Sequence, residues 1–179
     1  MDQEHGIGGL RADDRRLDAW RAFLTAHARV LRRLDEELRR EHDLTLAEYD
    51  ALLQLAQAPD RRLRMTRLAG LVLLSKSGVT RLIDRLEGDG FVQRTQCASD
   101  ARGAEAVLTP AGLDRLRGAA RTHLSGIERY FLAALDSSEL STLERSMGAV
   151  ARLAGEPPLP DVLFEPSPST PRPAAAAAR

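Results

Sequence analysis

SKSGVTRLIDRLEGDGFVQRTQCASDARG, residues 75–103, is the stretch on which the rest of the chain is read. Ser75 breaks an apolar run and is placed to cap a helix whose buried side is Val79, Leu82, Ile83 and Leu86. Gly88 and Gly90 mark its end, since glycine enters the left-handed backbone at no steric cost. Phe91-Val92 then leads into Gln93-Arg94-Thr95, and Ala104 to Leu108 is a second extended run. The polar segment from Cys97 to Gly103 lies between them, so the order is helix, stop, strand, tip, strand. Lys76, at the head of the helix, is the only lysine among 26 basic residues.

Working outward, apolar residues Leu17, Trp20, Phe23, Leu24, Ala28, Leu31, Leu34 and Leu38 recur at three-to-four spacing between about residues 14 and 42. They predict one long amphipathic helix, whose stripe packs on its own domain or on a second chain; its length favours the second. Thr45-Leu46-Ala47-Glu48 is a capping box and starts a second helix near Leu46, with Tyr49, Leu52, Leu53 and Leu55 inward and an end around Ala58-Pro59. Residues 61–65 suit a small edge strand or a connector, and Thr66 is expected to cap a third helix over 67–74. Thr109-Pro110 opens a fifth helix, expected to reach about Leu135. A last helix begins within residues 136–139 and reaches about Ala154.

Residues 1–13 and 155–179 stand apart. The first are Gly-rich and polar, and the second hold seven of the nine prolines followed by Ala174 to Ala178. Both are expected to be flexible, the tail disordered because it buries too little apolar surface to offset its ordering entropy. The fold class expected is mostly α with a small β wing, in which a winged helix-turn-helix over about 45–109 is flanked by helical regions over about 14–42 and 110–154.

Composition narrows the function. The chain has 179 residues, 43% of them apolar and 4% aromatic, enough for one real core built mainly from helices. Its longest apolar stretch, Leu68 to Leu74, is far short of the roughly 18 residues that span a bilayer. With no hydrophobic segment after the N-terminal charges and a lone Cys97, a cytoplasmic, reducing setting is expected and no membrane partner. Net charge is zero, yet residues 61–102 carry nine cations against four acids. A basic face on a neutral chain is the electrostatic footprint expected for duplex DNA, against the plainer reading that arginine is this chain's default surface residue.

In a helix-turn-helix the second helix lies in the major groove with its N-terminal residues toward bases and phosphates. Here those residues are Ser75, Lys76, Ser77 and Thr80, with Arg81 one turn further on and Arg85 another turn beyond. Short hydroxyls let the backbone approach the duplex, a helix N-terminus favours phosphate, and Lys or Arg reads guanine. The chain has no asparagine, so the common Asn-to-adenine contact is unavailable. The four histidines show no zinc spacing, and neither a phosphate loop nor a nucleophile elbow is visible. An enzyme is not expected, and neither a cofactor nor a metal.

The combined pattern resembles the MarR family of bacterial transcription regulators. The matching residues are Leu44-Thr45, Tyr49-Asp50, Leu52-Leu53, Leu68-Ala69, Ser75-Lys76-Ser77, Val79-Thr80-Arg81-Leu82, Asp84-Arg85-Leu86-Glu87, Gly90-Phe91-Val92, Arg94, Asp100-x-Arg102-Gly103 and Leu108-Thr109-x-x-Gly112. The likeness spans roughly residues 14–154. It implies a homodimer with interlocked terminal helices, reading a palindromic operator in double-stranded DNA, most often as a repressor that answers to a small-molecule effector. It also implies that Arg102 at the wing tip enters the minor groove and that Asp100 orients it, the plain alternative being a turn salt bridge. Asp50 and Arg94 occupy positions where a carboxylate on the second helix pairs with the base of the wing, read first as a structural ion pair. Cys97 is read as a bystander rather than a redox switch. Trp20, His27 and Tyr49 are read as core packing ahead of a pocket lining. The competing function is a winged-helix protein-interaction module without DNA binding.

Overall fold

The computed structural model describes residues 14–72, 76–97 and 100–155, with the side chains of Lys76, Cys97 and residues 100–102 outside that description. The expectations for the two termini, for Ser75 as a cap, and for the side chains of Lys76, Asp100 and Arg102 lie outside the described residues.

Among the described residues, six α-helices and three strands follow in order: α1 (Arg16–His42), α2 (Leu46–Gln57), β1 (Arg62–Arg64), α3 (Met65–Leu71), α4 (Lys76–Gly88), β2 (Val92–Cys97), β3 (Asp100–Leu108), α5 (Pro110–Tyr130) and α6 (Ser137–Ala154). The fold is mostly helical with one small antiparallel sheet, as the sequence predicts. The described residues form two compact units that divide after Leu140, within α6.

Local chemistry accounts for most boundaries. α1 ends where Asp43 turns left-handed at φ 46°, a conformation that Asp tolerates better than most residues, and Arg39, Arg40 and His42 complement the dipole of its last turn. The capping box of α2 is complete: the Glu48 N–H donates to Thr45 Oγ1 (3.0 Å), and the Thr45 N–H donates to Glu48 Oε2 (2.7 Å). Thr109 Oγ1 accepts the Gly112 N–H (3.0 Å) and so caps α5 ahead of Pro110. At the start of α6, Asp136 accepts from the Ser138 and Glu139 N–H groups while Glu139 accepts from that of Asp136.

The sheet order is β1-β3-β2, with Leu63 opposite Ala106 and Val92 opposite Leu108, so these apolar residues share the inner face. They join Leu52 and Leu55 of α2, Leu68 of α3, Val79, Leu82, Ile83 and Leu86 of α4, and Leu116 and Ala119 of α5 in one buried cluster. Full burial of one such leucine or isoleucine contributes about 1.5–3 kcal/mol. This cluster seats α4 and fixes which of its faces looks outward.

Some expectations need correction. Thr66 does not cap α3: the helix already begins at Met65, Arg64 stands at its N-cap with no side-chain capping bond, and the helix ends at Leu71 rather than Leu74. The tip is shorter than the polar run predicted, because the ladder continues to Cys97 opposite Asp100, with a register shift after Gln96. Pairing of backbone groups overrides the polarity of the side chains there. α5 stops at Tyr130 instead of Leu135: Phe131 leaves helical geometry and Leu132–Ala134 makes a tight turn. Leu53 is only partly buried. Trp20 and His27 are not core residues: Trp20 is 55% exposed, stacked on Phe23 at 5.8 Å, which in turn stacks on the exposed His27 at 5.9 Å. Tyr49 alone of the three is buried.

Candidate nucleic-acid interface

α4 presents two faces of opposite character. Val79, Leu82, Ile83 and Leu86 are buried, whereas Ser77, Thr80, Arg81, Asp84, Arg85 and Glu87 are exposed. The hydroxyls and cations singled out in the sequence therefore share the outer face wherever their side chains are described.

The charges on that face are not equally available. Arg94, on β2, reaches back over α4: its Nη2 lies 2.6 Å from Asp84 and donates to the Thr80 carbonyl at 2.9 Å, and its Nε is 3.8 Å from Glu87. The Arg94 backbone N–H also donates to Glu87, at 2.9 Å. One half-buried arginine thus engages both acids near the end of α4 and pins the base of the wing to the helix. The expected pair of Asp50 with Arg94 does not form. The turn at Gly90, with φ +75°, sends β2 back along α4, which brings Asp84 and Glu87 to Arg94 before any residue of α2. Asp50 instead accepts from the Gln54 amide at 3.4 Å, and burial raises its pKa against that bond.

Arg85 is also engaged. Its Nη2 lies 3.1 Å from Oε1 of Glu48, whose side chain is only 9% exposed and whose other oxygen serves the capping box of α2. Arg81, by contrast, makes no ion pair with another described residue. After Arg94 has engaged the acids and Glu48 has engaged Arg85, Arg81 is the cation that this face offers outward among the described side chains.

The same corner ties α1 to α2. Asp35 Oδ1 accepts the Leu46 N–H at 2.8 Å, and its Oδ2 lies 2.6 Å from Arg39. Burial works against the charged form of Asp35, but Arg39 and the Leu46 N–H outweigh it and hold the pKa below the usual value. Two open cavities of about 540 and 700 Å³ flank the Arg85–Glu48 bridge and share Arg39, Thr45 and Arg85 in their walls. Sequence reasoning found Thr45 and Glu48 as a cap but missed Glu48 as a partner of Arg85, and it missed Asp35 altogether. The only signal for the second role is an acid at the third position of one helix and an arginine late in another.

The wing joins α5 through a tight seam. Thr109 Oγ1 has one proton to share between the carbonyls of Gly90 (2.8 Å) and Phe91 (3.1 Å), and a side chain at Gly112 would collide with the Phe91 carbonyl oxygen. Further along, α1 and α5 are bonded through Glu37, which accepts from Tyr130 Oη at 2.5 Å and Arg129 Nη1 at 3.0 Å. Thr122 donates its single hydroxyl proton to Glu41 (2.9 Å), so His42 Nε2, at 2.8 Å, is the donor to Thr122 Oγ1. The Tyr49 and His123 rings meet at 4.4 Å where α2 faces α5. Burial, then the neighbouring Asp50, pushes the Tyr49 phenol up to about 12, and burial lowers the His123 imidazole.

Comparison with known proteins places this geometry. Residues 44–103 match the model of the MarR family. The chain is similar to Sco3205, a MarR family transcriptional regulator of Streptomyces coelicolor solved in complex with DNA, at 32% identity and a TM-score of 0.74, over 83% of this chain and 94% of that one. It is likewise similar to AbsC, a MarR family regulator of the same organism, at 32% identity and a TM-score of 0.75, over 82% and 99%. The HTH-type transcriptional repressor YetL of Bacillus subtilis strain 168 is 36% identical over 84 residues, which cover 47% of this chain and half of YetL.

Proposed function

The chain belongs to the MarR family of transcriptional regulators, and on that footing we propose that it is a sequence-specific DNA-binding repressor acting as a homodimer on a palindromic operator. The observation that carries the reading is the outward face of α4, where Ser77, Thr80 and Arg81 stand exposed beside a wing pinned in place by Arg94. The likeness to Sco3205, which was solved in complex with DNA, supports duplex DNA as the partner.

In this mechanism Ser75, Lys76, Ser77, Thr80 and Arg81 enter the major groove, while Arg85, one turn on along the same face, stays paired with Glu48. Arg102 reaches the adjacent minor groove from the wing, and Asp100 orients it. Hydroxyls and the helix N-terminus position the phosphates, and the cations read guanine or groove shape. A second copy supplies the other half-site. The exposed apolar stripe of Trp20, Phe23, Leu24 and Leu31 on α1, with Leu124 and Phe131 at the other end of the chain, supports that partnership, since so much large apolar surface costs stability in water. Two recognition helices must then sit about 34–36 Å apart, or a multiple of it, to enter successive grooves. A small-molecule effector that prefers a dimer with other spacing lowers DNA affinity by its differential binding.

The test is fluorescence anisotropy of the purified protein on a duplex from its own upstream region and on a random duplex, titrated with salt. Tighter binding to the upstream duplex, with an affinity that falls steeply as salt rises, is the expected result. Equal, salt-insensitive affinities would favour the interaction-module reading.

A further inference from the structure

We propose that Glu48 is a positioning residue that withholds Arg85 from the DNA backbone, so that the recognition face binds duplexes with one cation fewer per protomer than its sequence shows. The proposal deepens the DNA-binding reading and rests on it.

Three observations carry it. Arg85 Nη2 is 3.1 Å from Glu48 Oε1, close enough for a charge-assisted bond. The Glu48 side chain is 9% exposed and its rotamer is fixed from both sides, because Oε2 accepts the Thr45 N–H and its own N–H donates to Thr45 Oγ1. The helix start that holds Glu48 is itself anchored to α1 through the Leu46 N–H and Asp35. Glu48 therefore cannot follow Arg85 outward.

The consequence is a competition that phosphate loses. If Arg85 turned to a phosphate, it would leave a nearly buried carboxylate with the capping N–H as its hydrogen-bond donor and only the longer-range field of Arg39 beside it, and removing the partner of a buried charge is costly. Arg85 itself is 59% exposed, so its own desolvation adds nothing that favours departure. Arg81, one turn earlier and without an ion pair among described residues, has no such restraint. Phosphate contacts supply affinity without sequence information, so restraining one of them lowers binding to random DNA more than it lowers discrimination between sequences.

The test compares wild type, Glu48→Gln, Arg85→Ala and the double variant on random and upstream duplexes across a salt series, with a thermal melt of each. Gln at position 48 still accepts the Thr45 N–H, so the cap survives while the charge on Arg85 is released. Expected for Glu48→Gln is tighter binding to random duplex, about fivefold per protomer near 0.15 M salt, and a salt dependence steeper by about 0.9 per protomer. Arg85→Ala alone should leave the wild-type salt slope in place, and in the double variant the gain should vanish. A slope that drops with Arg85→Ala alone, or a gain that persists in the double variant, overturns the assignment of Glu48. So does a Glu48→Gln protein with unchanged or weakened binding, whatever its melt. Wild-type protein that binds neither duplex overturns the DNA reading itself, which is a different result from any of these.

Discussion

Arg94 and Asp84 stand 2.6 Å apart across the junction between the wing and the outward helix, where the same guanidinium also donates to the Thr80 carbonyl and lies 3.8 Å from Glu87. An exposed ion pair alone is worth about 0–1 kcal/mol, so this cluster matters for where it holds the wing rather than for how much it stabilises the fold. Arg94→Ala should cost about 1–2 kcal/mol of stability yet weaken operator binding tenfold or more, because the wing loses its bearing on α4. Chemical unfolding beside anisotropy separates the two; a loss of affinity no larger than the loss of stability explains would sink this role.

Arg81→Ala and Arg102→Ala should each weaken specific binding by about 1–3 kcal/mol while the protein keeps its oligomeric state and melting temperature. Arg81 is the exposed helix cation without a described ionic partner, so its removal frees no buried acid. Unchanged affinity in both variants would show that DNA, if bound, is bound elsewhere.

Gly112→Ala should destabilise the fold by about 1–3 kcal/mol, since the added methyl meets the Phe91 carbonyl, a backbone atom that has little room to move. Gly118→Ala, on the same helix with nothing within 4 Å of the new atom, should stabilise it by about 0.5–1 kcal/mol. Urea midpoints of opposite sign for the two variants are the expected readout.

The half-buried His123 ring should make stability fall on acidification. Its pKa is lowered from 6.5 by burial, so between those two values the unfolded chain binds more protons than the folded one, and stability drops as pH is lowered through that window. Asp50 works in the opposite sense: burial raises its pKa above 3.8, so protonation relieves a cost. Comparing wild type with His123→Phe at about pH 7.5 and about pH 5.5 isolates the imidazole. The wild type should lose more stability than the variant over that interval, and equal losses would rule the ring out.

Trp20→Asp combined with Leu31→Glu should give a folded monomer that has lost operator binding. Both side chains are exposed on their own unit, so the substitutions cost the fold little, whereas charges buried at a shared face oppose association. Sedimentation velocity would report the change; a variant that remains dimeric would place the partner surface on other residues.

How far the sequence foretells these features depends on the range of the interactions behind them. Thr45, Thr109 and the Gly90 turn are local devices, and each appears where residue type alone predicts it. The inward face of α4 follows from periodicity for the same reason. The partner of Arg94 does not: Asp50 and Asp84 are equally acceptable acids on charge, and only the direction in which β2 leaves Gly90 selects Asp84. Glu48 hides its second function behind the first, since a capping glutamate explains its presence without reference to α4. The end of α5 is equally opaque, because Leu132, Ala133 and Ala134 are good helix formers and the reciprocal cap at Asp136 claims the following turn instead. Trp20 is 55% exposed, since an apolar stripe predicts an apolar face without saying which of its residues are covered.

The bond between Glu37 and Tyr130 joins residues 93 positions apart, and it bears on the order in which the molecule is made. α1 is synthesised first, but its partners at Thr122, Arg129 and Tyr130 leave the ribosome only after the whole sheet and α4 have emerged. The first helix waits for the fifth to cover Leu34, which packs at Gly126, whereas its Trp20, Phe23, Leu24 and Leu31 stay exposed even in the finished fold. Chaperone binding to nascent chains should therefore weaken at the Leu34 segment of α1 once residue 130 is out, whereas a chain stalled inside α5 keeps that segment exposed.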